Sequence, residues 1–291
     1  MTATPPDAAA APIVLTGITR YPVKSCRGEA LEAAYVEPWG LAGDRRWMLV
    51  DTDGVTLTAR ESAPLVLVVA EITERGLLLT APGMADLAVA TPAGGSLVPV
   101  NVWGTSFDAA LAAPEAHAWF SEVAGRPARL VFLDDPTRRP IDPARSRPGE
   151  VVSFADGYPM LLASESSLAE LNGWIAEGAR AGDGPLPMAR FRPNLVVGGA
   201  PAWAEDRWRR VRIGTTTFRA VKACERCVLT LIDPETAGKT KEPLYSLARH
   251  RKWDHKTWFA VNLIADNPGG SLRLGDPVEV LEEAVETDPQ R

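Results

Sequence analysis

The chain has 291 residues, 46% hydrophobic and 23% charged, so it has the composition of a folded protein with a sizeable core rather than of a fibrous or disordered one. Its 31 basic and 37 acidic residues leave a net charge of -6 with no block of like charges, which argues against nucleic acid or an anionic membrane as a general partner. Three cysteines, an odd number in a chain this long, argue against a secreted disulfide framework and for a reducing, cytoplasmic setting.

Residues 1–12, "MTATPPDAAAAP", read as a disordered tail, because a basic stretch followed by an apolar core is missing. No run of about 18 apolar residues is present to span a membrane. From Ile13 to Val102 short β-branched and aliphatic runs alternate with turns such as "DTDG", "ERG" and "PAGG", the spacing of a β-barrel or sandwich. "APEAHAWFSEVAG" predicts a helix with Ala116, Trp119, Phe120 and Val123 on one face and Gly125 as its stop. The Pro- and charge-rich stretch 134–150 predicts a long exposed loop near a domain boundary. We therefore expect domains over 13–140 and 141–285, with a short tail over 286–291. A second helix is expected at "SESSLAELNGWIAEGA", capped by Ser164 or Ser166, with Leu168, Leu171 and Ile175 as its apolar stripe. Strands resume at "PNLVVGG", "RVRIGTTTFRAVKAC" and "CVLTLID"; a short helix at "EPLYSLARHRK" precedes strands at "WFAVNLIAD" and "DPVEVLEE". The order lacks the regular alternation of a doubly wound sheet, so the fold class is mixed α/β and β-rich.

Cys224 and Cys227 form a C-x-x-C in "VKACERCVLTLID". A zinc site would need more ligands, and Cys26, His117, His250 and His255 do not supply a second close pair beyond the spacing of 250 and 255. A dithiol redox motif wants the second thiol to enter a helix, whereas a strand-like run follows here. Two buried structural thiols are the plain alternative. Lys222 and Arg226 supply cations that favour a thiolate, a soft metal ligand. Lys24 and Ser25, Asp44 to Arg46, and Arg190, Arg192 and Asn194 all stand at strand ends, where arginine forks, a hydroxyl and backbone N–H groups can cradle a phosphate or carboxylate. Rossmann, P-loop and G-x-S-x-G motifs are missing, and Asp134 and Asp135 read as solvated.

The ordered segments "YPVKSC", "GLAGDRRWMLVD", "LLASESSLAELN", "RFRPNLVV", "AEDRWRRVRIG", "CERCVLTLIDPETAGKTKEPL" and "FAVNLIADNPGGSLRLGDPVEVL" resemble, over about residues 13–282, the MOSC proteins with their N-terminal β-barrel domain, and within them the amidoxime-reducing components. The resemblance implies an N-terminal β-barrel domain followed by a MOSC β-barrel domain with inserted helices. It also implies a molybdenum cofactor, a phosphate-bearing molybdopterin, and no pyridoxal phosphate. By motif position Cys224 resembles the molybdenum ligand and Cys227 a non-ligand neighbour. Lys24, Ser25, Arg45, Arg192 and Asn194 resemble the cofactor-holding residues, and Ser164 and Ser166 fall where further contacts are made. The implied reaction removes oxygen reductively from amidoximes, hydroxylamines and N-hydroxyguanidines, with Asp233 or Thr230 orienting substrate or water; an exposed turn is an equal reading of Asp233. One departure is that the family's D-P-x-T-G stands here as "DPETAG", with Ala237 as an extra residue. No cysteine follows Cys227, so electrons are expected from a separate ferredoxin, flavodoxin-type or cytochrome partner with its own reductase. The protein is expected to be a soluble, cytoplasmic monomer. The rival reading is a molybdenum-cofactor or sulfur carrier without turnover.

Overall fold

The strand Val14–Arg20 joins the two halves of the chain. It pairs antiparallel with Leu195–Gly198 on one side and with Glu29–Leu31 on the other, so a segment from the N-terminal third lies in the sheet of the second half. The computed structural model describes residues 12–94 and 96–284; the tails expected at 1–12 and 286–291 fall outside the described residues except for Pro12.

The large sheet runs in the order Glu29–Leu31, Val14–Arg20, Leu195–Gly198, Met160–Ser164, Lys256–Ala265, Thr216–Glu225, Trp208–Ile213 and Val278–Glu283. A bridge from Val14 to Pro277 brings the last of these back to the second, so the sheet curls toward a barrel. Its interior is apolar: Leu15, Leu162, Val197, Trp208, Phe218 and Val261 pack together with 0–1% exposure, and burial of such side chains stabilises by about 1.5–3 kcal/mol each. The parallel pair Met160–Ser164 and Leu195–Gly198 is joined through the helix α2, Glu165–Glu177, the crossover that parallel strands require.

The N-terminal half adds a five-stranded sheet around Trp47–Val50 and Arg129–Phe132, and a three-stranded meander over Val69–Thr73, Gly76–Thr80 and Leu87–Ala90. The helix α1, Pro114–Ala124, buries Ala116, Trp119 and Phe120 against them and ends at Gly125 with φ of 66°, the left-handed cap that glycine adopts without penalty. The β-rich fold of both halves is thus as expected from the sequence.

Two local expectations fail and a third holds only in part. "CVLTLID" is a 3-10 turn over Val228–Leu231 instead of a strand, because the Thr230 amide and hydroxyl both turn back to the Cys227 carbonyl, at 3.1 and 2.9 Å. Ser164 holds the N-cap position of α2, but its hydroxyl makes no cap hydrogen bond. The stretch 134–150 is only partly exposed. Pro136, Arg139 and Ile141 are buried, and the Arg139 guanidinium donates to the carbonyl oxygens of Ser153, Ala155 and Asp156. A short third helix, α3, spans Leu244–His250.

Candidate functional site

Cys224 sits one residue from the end of the strand Thr216–Glu225, where the ladder to Lys256–Ala265 slips between Ala223 and Glu225. Such a bulge re-aims a side chain out of the regular alternation. The thiol packs at the edge of a cluster containing Phe191 and Phe259 and accepts a hydrogen bond from Arg226 Nη1 at 2.9 Å. Arg226 Nη2 is tied to the Phe191 carbonyl at 2.8 Å. Burial raises the Cys224 pKa and Arg226 opposes that rise without cancelling it. In the protein alone, then, the cation expected to favour a thiolate does reach the sulfur, but desolvation outweighs it. Cys26 is a different case: it is fully buried in the N-terminal core, and burial pushes its thiol up to about 12, so it behaves as a small apolar residue.

Beside this strand end a buried polar knot fixes two arginines. Asp44, with 0% exposure, accepts from the Tyr21 amide at 2.8 Å, from Asn194 Nδ2 at 3.0 Å and from Arg45 Nη1 at 2.6 Å. Asn194 is saturated as well: its Oδ1 accepts from Arg45 and the Leu161 amide, and its Nδ2 also donates to the Thr19 carbonyl. An amide with its donors and acceptor engaged in this way positions Arg45 and has little capacity left for a ligand. Arg45 and Arg192 both lie over the Tyr21 ring, 4.4 and 4.3 Å from its centroid, a cation–π contact that lets two like charges approach. Arg192 Nη2 is buried without a hydrogen-bond partner.

Lys24 is linked to Cys227 through Asp156 and Arg60. Its ammonium pairs with Asp156 and donates to the Phe154 carbonyl at 2.8 Å. Burial pushes Lys24 down to about 8, even though Asp156 favours its charge. Asp156 also receives Arg60 Nη2 at 3.2 Å and the Trp103 indole at 3.1 Å, while Arg60 Nε donates to Cys227 Sγ at 3.3 Å. Partial burial works against ionisation of Asp156, but Lys24 and Arg60 hold its carboxyl well below the usual range. The two thiols of the C-x-x-C are therefore pinned to different arginines, and each has its own surroundings. Ser25, Arg45 and Arg192 all have positive φ, 71°, 47° and 55°. Non-glycine residues seldom adopt that strained conformation, and it recurs at ligand sites.

Residues 13–127 match the MOSC N-terminal beta barrel domain, and residues 149–279 match the MOSC domain. The chain is 32% identical over 281 residues to the mitochondrial amidoxime-reducing component 1 of Homo sapiens, covering 90% of this chain and 81% of that protein. The chain belongs to the MOSC family. It is 33% identical over 283 residues to the mitochondrial amidoxime reducing component 2 of Rattus norvegicus, covering 89% and 80%. It is 30% identical over 266 residues to the molybdenum cofactor sulfurase of Oryza sativa subsp. japonica, covering 86% of this chain but 32% of that longer protein. Among the described residues of this MOSC protein, no helix is long and apolar enough to cross a membrane.

The loop after Cys227 is built from its own hydrogen bonds. Asp233 Oδ1 accepts the amides of Glu235 and Thr236 at 2.9 and 3.0 Å, and Oδ2 accepts Arg190 Nη2 at 3.1 Å. That carboxylate braces the turn, and orienting a substrate would cost it one of these bonds. The Thr230 side chain is fully buried, its hydroxyl spent on the Cys227 carbonyl, which gives it a positioning geometry too. Ser164 Oγ is buried without a partner and Ser166 is half-buried; among the described residues no hydrogen bond joins either to Lys24, Arg45, Arg192 or Asn194. Sequence reasoning passed over Tyr21, Arg60, Trp103, Arg139 and Asp156. No local pattern marks them, because their partners lie far along the chain.

The extra residue Ala237 has φ of 57°, and its amide closes onto the Asp233 carbonyl at 2.9 Å. A left-handed alanine costs roughly 1–2 kcal/mol, whereas glycine fits without that strain at the cost of greater chain entropy. Ala237→Gly is therefore expected to be neutral or to stabilise by up to about 1 kcal/mol, read as a small rise in thermal midpoint. A marked fall would show that the methyl group, packed on the N-terminal core, outweighs the strain.

Proposed function

We propose that this protein is a molybdenum-cofactor-dependent reductase of N-hydroxylated compounds, supplied with electrons by a separate redox protein. The observation that carries the reading is the array itself: a soft thiol on a bulged strand end, held by Arg226, which is tied to the carbonyl just before Arg192 and shares with Arg45 and Arg192 the surroundings of the buried Tyr21. The buried, unpartnered Nη2 of Arg192 fits this reading, because an anionic phosphate group satisfies such a donor. A single thiol suits a soft or high-valent metal held mainly by its own organic ligand.

In this reading Cys224 binds the metal, and Arg226 fixes the direction of its Sγ. Arg45, Arg192, Lys24 and Ser25 hold the anionic organic part, with Asp44 and Asn194 keeping Arg45 in place. Thr230 and Asp233 hold the loop that borders the thiol. When bound, the cofactor supplies the two-electron reducing centre. The overall change takes an N–OH group, two electrons and two protons to N–H and water. A test is elemental analysis and benzamidoxime reduction on protein from a cofactor-competent host. About one molybdenum per chain with turnover driven by reduced methyl viologen is expected, and metal-loaded protein that reduces no hydroxylamine or amidoxime would sink the reading.

The similarity to a molybdenum cofactor sulfurase favours a second reading, a cofactor or sulfur carrier without turnover. A persulfide on Cys224 in intact-protein mass spectra, together with no reduction of N-hydroxylated compounds, is its signature.

A further inference from the structure

The hairpin that joins Leu97–Val102 to Thr105–Leu111 turns at Trp103 and Gly104, because Val102 pairs directly with Thr105. Both turn residues have positive φ, 52° and 91°, a backbone that asparagine followed by glycine adopts best. A tryptophan in the first of these positions is strained, since it has a Cβ and no short polar group to ease a left-handed backbone. Burial does not offset the strain. Of the nine tryptophans, all among the described residues, Trp103 alone is exposed, with half of its surface open to solvent. A strained residue whose apolar ring is left in water points to a use for the ring.

The ring is nonetheless held in place. Its Nε1 donates to Asp156 at 3.1 Å, and the Arg60 guanidinium lies 4.4 Å from its centroid. Arg60 is itself fixed by Asp156 and by Cys227 Sγ. Phe107, on the returning strand, stacks on Phe154 at 6.0 Å, so the hairpin is packed onto the segment that carries Asp156. The Asn101 side chain ties the turn to the Gly104 amide and the Ser106 hydroxyl, each at 2.9 Å. Burial raises the Cys224 pKa and the charge of Asp156 adds to that rise, so the anchor of the indole lies within electrostatic reach of the thiol. One face of the indole thus rests on Arg60 and one edge on Asp156. The rest of the ring is a rigid aromatic platform beside the proposed site. Stacking on such a platform favours a flat ring and offers nothing to a compound without one.

We infer that Trp103 is a specificity-determining residue, whose open indole surface stacks on the ring of aromatic N-hydroxylated substrates and selects them over hydroxylamine itself. The inference rests on the reductase reading above. Trp103 takes no part in the chemistry and acts on binding alone, so its contribution falls on KM rather than on kcat.

The test compares benzamidoxime with hydroxylamine as substrates of the molybdenum-loaded protein, driven by reduced methyl viologen. Trp103→Asn suits the turn and is expected to be at least as stable as wild type. Its KM for benzamidoxime is expected to rise about fivefold, while kcat for benzamidoxime and both constants for hydroxylamine stay within about twofold. Trp103→Phe keeps a ring without the Asp156 bond and is expected to bring KM back to within about twofold of wild type. Binding of benzamidine, the ring-bearing product, measured by calorimetry without turnover, is expected to weaken about fivefold in Trp103→Asn. Equal losses for both substrates would show a purely structural role and overturn the inference, as would a benzamidine affinity that Trp103→Asn leaves unchanged. Loaded wild type that reduces neither compound would sink the reductase reading, and the benzamidine titration then decides separately whether the indole surface binds a ring.

Discussion

Cys224→Ala is expected to lower kcat/KM for viologen-driven benzamidoxime reduction by about a thousandfold or more, whereas Cys227→Ala lowers it by less than about tenfold. The difference follows from what each sulfur does. Cys224 stands on the bulge beside Glu225, held by Arg226 and backed by Phe191 and Phe259, and in the proposed function it is the protein's only bond to the metal. A thousandfold loss is about 4 kcal/mol of transition-state stabilisation, the scale of losing a ligand rather than a contact. Cys227 accepts one hydrogen bond from Arg60, which keeps its ion pair with Asp156 when the sulfur is gone. A hydrogen bond of that kind contributes about 1 kcal/mol. Circular dichroism separates a folded, inactive Cys224 variant from a misfolded one. Full viologen-driven activity in folded Cys224→Ala would remove the thiol from the chemistry.

The parts of the site legible in the sequence are those where a residue type and its local setting sit together. Cys224 with Arg226 two residues on, and Arg45 and Arg192 at strand ends, could be read before any contact was known. The partners that give these residues their geometry could not. Lys24 and Asp156 are 132 residues apart, Arg60 and Cys227 167, and Arg45 and Asn194 149. Nothing in "FADGYP" marks Asp156 as the carboxylate that gathers Lys24, Arg60 and Trp103. Asn194 shows the converse problem. Its type suggested a ligand contact, but its side chain is consumed in fixing Arg45. The fold was legible where a β-branched run was bounded by turns, as in Val14–Arg20, and where period-two alternation held, as over the first six residues of Thr216–Glu225. It failed at "CVLTLID", where a β-branched run was overridden by the local hydrogen bonds of Thr230.

Between about pH 5 and pH 8 the wild-type protein is expected to lose stability through one buried carboxyl, and Glu205→Gln to escape that loss. Glu205 is fully buried, with Oε2 accepting the Ser167 hydroxyl at 2.9 Å and Oε1 left without a partner. Burial pushes its pKa up to about 7, and the like charge of the adjacent Asp206 adds to the rise, which the Ser167 hydrogen bond and the Arg251 cation only partly offset. A carboxyl whose folded pKa lies above its unfolded value of roughly 4.3 holds its proton more tightly in the native state. Its stabilising contribution is therefore complete below the unfolded value and is lost as pH rises through 7. At about 1.4 kcal/mol per pH unit, the loss amounts to roughly 3 kcal/mol. Glutamine keeps an acceptor for Ser167 and has no charge to bury. Its stability should match wild type within about 1 kcal/mol at pH 5 and exceed it by about 2 kcal/mol at pH 8. Urea unfolding midpoints at the two pH values, compared between the proteins, isolate this residue from all other titrating groups, and parallel pH profiles would refute the assignment. Ser167 also accepts the Trp203 amide at 2.8 Å, so ionisation of Glu205 acts through the Ser167 hydroxyl on the backbone at Trp203.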